Sequence, residues 1–275
     1  MCILKQEETG MNKAGFNEKV KQTVKENFDI SCIMYDEFEK KHRFFASLAE
    51  KLAESINLKP GSYVLDVCCG SGISAYVLNK HFSCKVLGVD LSEKMVEAGR
   101  LLCDSPDISL MVGDGEKLAE IAEGGIFDYV LYNASIFIFP DAERSIMEAA
   151  RCLRTGGKIA FSFYPEFRGN SGQDILAEGF NRIGEPLPRF RTITEYDKAL
   201  KALSSYCDEV KSHHWIRPFD TEFLQDFFSI PAQSASLFPG RDYDTRRELV
   251  RKLFSALSDD SHQASLVWRI AEGTK

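Results

Sequence analysis

The sequence predicts a doubly wound α/β fold: a mostly parallel, seven-stranded sheet with an N-terminal helical cap and two late insertions. Three observations carry this. From Gly61 to Phe163 short apolar runs alternate with amphipathic segments, and strands separated by helices wind into a parallel sheet with helices on both faces. The first run, Val64-Leu65-Asp66-Val67, passes directly into Cys68-Cys69-Gly70-Ser71-Gly72, the pattern of a strand, a tight turn and a helix start. The chain has 275 residues, more than one minimal domain and fewer than two full ones. The expected plan is a helical cap at 1–60 and one α/β domain at 61–275, with insertions at 166–192 and 229–244.

Taken in order, residues 1–14 read as a polar tail. Helices are expected over Phe16–Ile30 and Asp36–Ile56, the second marked by Phe38, Phe45, Leu48, Leu52 and Ile56 at three- and four-residue spacing. Lys59-Pro60-Gly61 breaks the pattern. Strands are expected at Tyr63–Val67, Lys85–Asp90, Ile108–Val112, Phe127–Tyr132, Lys158–Phe163, Glu209–Ile216 and Ala264–Ala271, the last antiparallel and near the sixth. Between them fall helices at Ser71–His81, at Ser92–Leu102 with Ser92 as N-cap, near Glu116–Ala122, and at Asp141–Leu153 with Gly156 as a left-handed cap. Later helices read at Thr194–Ser205, Thr221–Phe228 and Thr245–Leu257. The two insertions are rich in Gly, Pro and Arg, the composition of irregular lids and binding loops.

Composition narrows the function. The net charge of -7 lacks the basic stripe of a nucleic-acid binder, so no nucleic-acid partner is expected. No apolar stretch approaches a membrane span, and charge follows Met1-Cys2-Ile3-Leu4 at once, unlike a signal peptide. The eight cysteines form no C-x-x-C and no zinc-finger spacing. They read as reduced thiols of a cytoplasmic protein, with no metal site.

The chemistry lies in the first turn. Gly70-Ser71-Gly72-Ile73-Ser74-Ala75 fits G-x-G-x-x-A, a dinucleotide fingerprint that is weak alone. Asp66 argues against a pyrophosphate there, because its carboxylate would repel that anion. An acid in this place suits a ligand with a positive group, such as an amino-acid ammonium.

The segment Val64 to Gly72 resembles the first motif of the class I S-adenosylmethionine-dependent methyltransferases. Its Asp66-Val67-Cys68-Cys69-Gly70 form is similar to that of the menaquinone and ubiquinone C-methyltransferases, which usually have glycine where this chain has Cys68. The resemblance covers about Gly61 to Tyr164. It implies S-adenosyl-L-methionine as cofactor and a small-molecule methyl acceptor. Asp66 would face the ammonium, with Cys68, Gly70 and Gly72 forming the turn and backbone N–H groups holding the carboxylate. Asp90, 24 residues after Asp66, would take the ribose hydroxyls, with Leu91 and Met95 flanking the adenine. Gly113, Asp114 and Gly115 would meet the adenine edge, and Asn133 and Ser135 the methionine end. A lone strand-end aspartate is more often a turn or cap residue, but these stations recur at successive strand ends. Cys68 reads as a small residue touching the cofactor through its backbone, not as a nucleophile.

Acceptor-side residues are less determined. Asn133-Ala134-Ser135-Ile136 lacks the Asn/Asp-Pro-Pro-Tyr/Phe motif of DNA amino-methyltransferases, which favours a small molecule. Tyr35 is either an aromatic cover over the cofactor, gaining cation–π attraction, or a core tyrosine. His214 in His213-His214-Trp215 is either a general base or a polar strand residue. Arg189, Arg191 and Arg241 are candidates to hold an acidic substrate. Phe163, Tyr164, Phe167, Phe180, Phe190 and Phe238 either line an apolar pocket or pack the insertions. Acceptor atom and oligomeric state stay open. The alternatives are an NAD(P)-dependent oxidoreductase and a non-catalytic S-adenosylmethionine-binding regulator.

Overall fold

A computed structural model describes residues 10–189, 191–257 and 264–275. Phe190 and most of the expected polar tail lie outside them. The chain forms two compact units. The sheet unit comprises Glu39–Phe163, Thr194–His213 and Ile270–Lys275; the helical unit comprises the described residues of Met1–Phe38, Tyr164–Ile193 and His214–Arg269. Residues 39–60, expected with the cap, thus fall in the sheet unit.

The sheet unit holds β1 (Tyr63–Val67), β2 (Lys85–Asp90), β3 (Ile108–Val112), β4 (Phe127–Tyr132) and β5 (Leu153–Ser162), all parallel, in the order β3-β2-β1-β4-β5. The end of β8 (Ala264–Thr274) then pairs antiparallel with β5, Lys158 facing Thr274, and β7 (Asp208–Phe219) pairs with β8. Val64, Leu65, Val67, Val130, Leu131, Ile159 and Phe161 are fully or almost fully buried. Continuous apolar burial of this kind is what a parallel sheet covered on both faces requires. Helices α3 (Ile73–Phe82), α4 (Glu93–Leu102) and α5 (Ala142–Cys152) supply the crossovers, with α7 (Tyr196–Tyr206) later in the chain. Ser92 caps α4 as its sequence predicts, accepting from the Met95 N–H at 3.1 Å. The helix expected near Glu116–Ala122 shortens to a 3₁₀ turn, Leu118–Glu120.

The reversal of strand order at β1 is the decisive feature. β1 pairs with β2 on one side and β4 on the other, so the chain leaves β1 in one direction and returns to its far flank later. Open α/β sheets bind ligands outside the strand C-terminal ends at such a switch point.

Several expectations are corrected. The N-terminal helices do not divide at Ile33-Met34-Tyr35: α1 runs unbroken from Lys13 to His42. No Gly or Pro interrupts it after Gly15, and its buried Ser31, Tyr35 and Phe38 keep one face in register. The break falls at Arg43, whose backbone is left-handed (φ 46°), and α2 (Phe44–Ser55) follows. Glu39 makes that break possible, its carboxylate accepting the Phe45 and Ala46 N–H groups at 2.8 and 2.9 Å. Gly156 is left-handed (φ 77°) but caps no helix; α5 ends earlier, at extended Leu153, and Gly156 lies within β5. The described residues form eight strands, not seven, because β6 (Glu166–Arg168) pairs antiparallel with Ser265–Val267 of β8 in the helical unit. The first insertion also carries α6 (Ile175–Ile183). The second is not irregular throughout, since Pro231 opens helix α9 (Pro231–Leu237) at a position where its missing N–H costs nothing.

The helical unit further contains α8 (Thr221–Ser229) and α10 (Tyr243–Ala256). Its core is aromatic. Phe228 stacks on Phe254 at 5.7 Å, Phe223 on Phe227 at 6.1 Å, and Phe167 and Phe38 join the same cluster. These rings serve packing, as do Tyr164, Phe180 and Phe238, all buried.

Because Glu39 accepts the Phe45 and Ala46 N–H groups at the start of α2, Glu39→Ala is expected to destabilise the fold by about 1–2 kcal/mol, the cost of a lost charged cap. Urea unfolding at pH 7 reads this; an unchanged midpoint would show that water replaces the carboxylate.

Candidate functional site

The turn after β1 is built by backbone conformations that few side chains accept. Cys68, Gly70 and Gly72 are all left-handed, with φ of 59°, 56° and 77°. At Gly72 a Cβ would also stand 2.9 Å from Cys103 Sγ, so the glycine is required twice over. Cys68 carries a side chain in a conformation that disfavours one, and its thiol is pushed well up by burial and then by Asp90. That keeps it protonated, in agreement with its reading as a turn residue rather than a nucleophile.

Asp90 fastens the turn to β2. Its Oδ2 accepts the Gly70 N–H and its Oδ1 the Ser92 N–H, each at 2.9 Å. The Cys69 and Gly72 N–H groups are also consumed locally, by Val89 O at 3.1 Å and Cys69 O at 3.0 Å. These three N–H groups are therefore engaged within the chain. Asp90 is therefore not a bare ligand carboxylate but part of the turn.

Asp66 differs. It is fully buried at the end of β1, yet neither carboxylate oxygen has a hydrogen-bond partner. Burial, and secondarily the negative charge of Asp90, raise its pKa to about 7. Buried polar atoms are nearly always paired, so two orphaned oxygens on one side chain mark a place where something cationic or donor-bearing belongs.

Asn133, just beyond β4, sits across the switch point in the chain's topology. Its amide nitrogen donates to Phe45 O at 3.0 Å and Ser74 Oγ at 2.8 Å. A backbone carbonyl only accepts, so the amide orientation is fixed by chemistry. Its Oδ1 is left buried and unpartnered. Ser74 and the Phe45 carbonyl were not singled out in the sequence; a small hydroxyl residue in the first turn of α3 was the available signal. Asn133, and Asp66 when ionised, thus present acceptor oxygens.

The remaining stations also bond or pack within the chain. Ser135 is buried and donates to Val67 O at 3.1 Å, bolting the end of β4 to β1. Asp114 accepts the Glu116 N–H at 2.9 Å, shaping the turn after β3. Gly113 and Gly115 are tightly packed: an added Cβ would meet Ile121 Cδ1 at 2.1 Å and Val67 Cγ1 at 2.8 Å respectively. Met95 is buried and Leu91 half-buried.

Tyr35 and His214 belong to the helical unit. Tyr35 is buried, stacked on Phe28 at 5.6 Å, with its hydroxyl bonded to the Gln233 amide. His214 is exposed on β7. Arg191 is paired with Asp174 at 2.6 Å, while Arg241 is exposed.

Residues 65–161 match the family model described as "Methyltransferase domain". The chain is 36% identical over 110 residues to sarcosine/dimethylglycine N-methyltransferase of Halorhodospira halochloris, covering 39% of each chain. It is 36% identical over 113 residues to demethylmenaquinone methyltransferase of Staphylococcus saprophyticus, covering 40% of this chain and 48% of that one. These two are therefore matched over less than half their length. Aklanonic acid methyltransferase DauC of Streptomyces sp. strain C5 is 31% identical over 153 residues, covering 54% of this chain and 67% of its own. Among solved structures, the [4+2]-cyclase SpnF superposes with a TM-score of 0.59 at 17% identity, over 92% of this chain and 96% of that one. Phosphoethanolamine N-methyltransferase 2 of Haemonchus contortus, with S-adenosyl-L-methionine, gives 0.52 at 17%, over 82% and 52%. At such identities the likeness is one of fold. Among the described residues no group of side chains could hold a metal ion, and no helix is long and apolar enough to cross a membrane.

Asp66 sets a pH dependence with a definite sign. The folded chain holds its proton up to about pH 7, the unfolded chain only to about 3.8. The folded state binds more protons between those values, so stability falls as pH rises through them, by at most about 4 kcal/mol. Asp66→Asn is expected to flatten this slope and to raise stability at pH 8 by about 2–4 kcal/mol relative to the parent, with little gain at pH 4. Urea unfolding at both pH values measures it.

Proposed function

The chain belongs to the class I methyltransferase family, and from that premise we propose that it binds S-adenosyl-L-methionine at the β1 turn and methylates a small-molecule acceptor. The observation that carries this is Asp66. A buried carboxylate with two unpartnered oxygens fits the methionine ammonium, which brings both positive charge and N–H donors. The same site is wrong for a dinucleotide, whose pyrophosphate would meet that carboxylate.

When bound, the cofactor supplies an electrophilic methyl group on a sulfonium. The chain's own residues do the positioning. Asp66 gives up its proton to hold the ammonium as an ion pair. Asp90 fixes the turn through Gly70 and Ser92 and stands on the ribose side in this reading. Asn133, locked by Ser74 and Phe45, presents a carbonyl oxygen in place of water. Leu91, Met95, Asp114, Gly113 and Gly115 form the adenine side of this reading.

Relatives named for sarcosine and dimethylglycine, demethylmenaquinone and aklanonic acid support a small organic acceptor and favour none of the three. Tyr35 and His214 stay candidates to be tested by substitution. The seven free cysteines among the described residues agree with a reducing, cytoplasmic setting.

Calorimetry is expected to show binding of S-adenosyl-L-methionine and S-adenosylhomocysteine and none of NADH; binding of NADH alone would overturn the reading. Because the ammonium must displace the Asp66 proton, affinity should rise about tenfold per pH unit below 7 and level off above it. A profile flat from pH 5 to 8 would mean that Asp66 does not meet the ammonium. The same fold carries a protein named a cyclase, so transfer itself needs a labelled-methyl assay against small amines, acids, phenols and quinols. Asp90→Ala is expected to weaken cofactor binding by about 1–3 kcal/mol.

A further inference from the structure

In the helical unit Arg246 also has incomplete bonding, and it has the opposite sign to Asp66. Arg246, on α10, is only 7% exposed. Its Nη1 donates to Pro231 O at 3.0 Å, and its guanidinium lies over the Tyr243 ring, 5.5 Å from the centroid. Tyr243 is itself held, its hydroxyl donating to Ser229 O at 2.7 Å. The guanidinium plane is thus fixed from two sides. Its Nε is buried and has no hydrogen-bond partner. No carboxylate among the described residues lies within ion-pair distance of it. The acid nearest in sequence, Asp242, caps α10 through the Thr245 N–H and hydroxyl. Arg247 also faces the Tyr243 ring, at 5.8 Å, which adds positive charge to the neighbourhood.

The unfilled edge has a particular shape. Nη1 is the guanidinium nitrogen on the Cδ side, so the bond to Pro231 uses the far corner. Nε–H and the adjacent Nη2 remain as a pair of parallel donors, the fork that receives a carboxylate or phosphate through two oxygens. A buried cation without a counter-ion costs several kcal/mol, so native proteins rarely keep one unless a ligand supplies the charge.

We infer that Arg246 is an oxyanion-binding residue, and that the helical unit takes a small carboxylate or phosphate monoester on its Nε/Nη2 edge. The inference stands on the geometry of this unit alone and holds or fails independently of the cofactor reading. It also relocates the acid-binding role from the arginines that the sequence suggested. Arg191 already has Asp174, whereas Arg246 lies inside a helical face and gives no sequence signal.

The test uses the full chain labelled with ¹⁵N. The Arg246 Nε–H resonance, assigned by its loss in Arg246→Lys, is followed during titration with acetate, with inorganic phosphate, and with chloride at matched ionic strength. The expected result is a saturable shift with acetate, phosphate or both, absent with chloride. Saturation by acetate alone identifies a carboxylate site, and by phosphate alone a phosphate site. Arg246→Lys keeps the charge and loses the fork, so the midpoint, followed on neighbouring backbone resonances, should weaken about tenfold. If that variant does not fold, the Nε–H resonance is assigned instead in the parent, through side-chain correlations to the Arg246 backbone amide, and the parent titration still decides. Shifts that stay linear and match those of chloride would overturn the inference, leaving Arg246 a packing residue whose free edge is hydrated.

Discussion

Two carboxylates set the terms of the sheet unit. Asp66 and Asp90 close neighbouring parallel strands and sit in one low-dielectric region, where like charges repel strongly. The structure resolves the conflict by giving them unequal surroundings. Asp90 takes two backbone N–H groups as part of the turn. Asp66 takes none, and without a ligand it is held nearly half protonated around neutrality. The turn conformation, the glycine at position 72 and the tie to Ser92 all follow from fixing the first carboxylate. The vacancy in bonding at the second follows from having no donors left to give.

The rest of the unit arranges acceptors around that point. Parallel winding places the ends of β1, β2 and β4 together, and the reversal of order at β1 opens the flank on which Asn133 lies. Ser135 and Tyr132 bind β4 to its neighbours, the tyrosine hydroxyl reaching Ser145. The position of Asn133 therefore rests on strand packing rather than on a loop. Rigid placement matters more here than strength, since a positioning site loses its effect over displacements of about 1 Å.

Much of this was legible in sequence for a physical reason. Parallel strands buried on both faces must be continuous apolar runs, so Tyr63–Val67 and Phe127–Tyr132 announce themselves, and Ser92 before an acidic first turn announces a cap. Asp66 stood out because a carboxylate beside a glycine turn conflicts with a pyrophosphate. What sequence did not reveal was which polar groups are already spent. Nothing in Asp90 or Ser135 shows that their bonds close on the chain itself, because those partners are backbone atoms of distant strands. The continuous α1 was missed because Ile33-Met34-Tyr35 interrupts the charge pattern without interrupting the helix, and the break at Arg43 depends on a carboxylate one turn earlier. Helix α9 was hidden by Pro231, which reads as a breaker and acts as a start.

The path of the chain through the two units has a consequence for its synthesis. It passes between them after Phe38, Phe163, Ile193, His213 and Arg269. Neither unit is complete until residues near 270 have left the ribosome, so neither can fold as a finished body before then. Until then β5 is an open edge with a row of unpaired backbone groups, awaiting partners at Ile270–Thr274 that are made more than a hundred residues later. The nascent chain is most exposed to wrong pairing in that interval, which ends when the antiparallel strand closes that edge of the sheet.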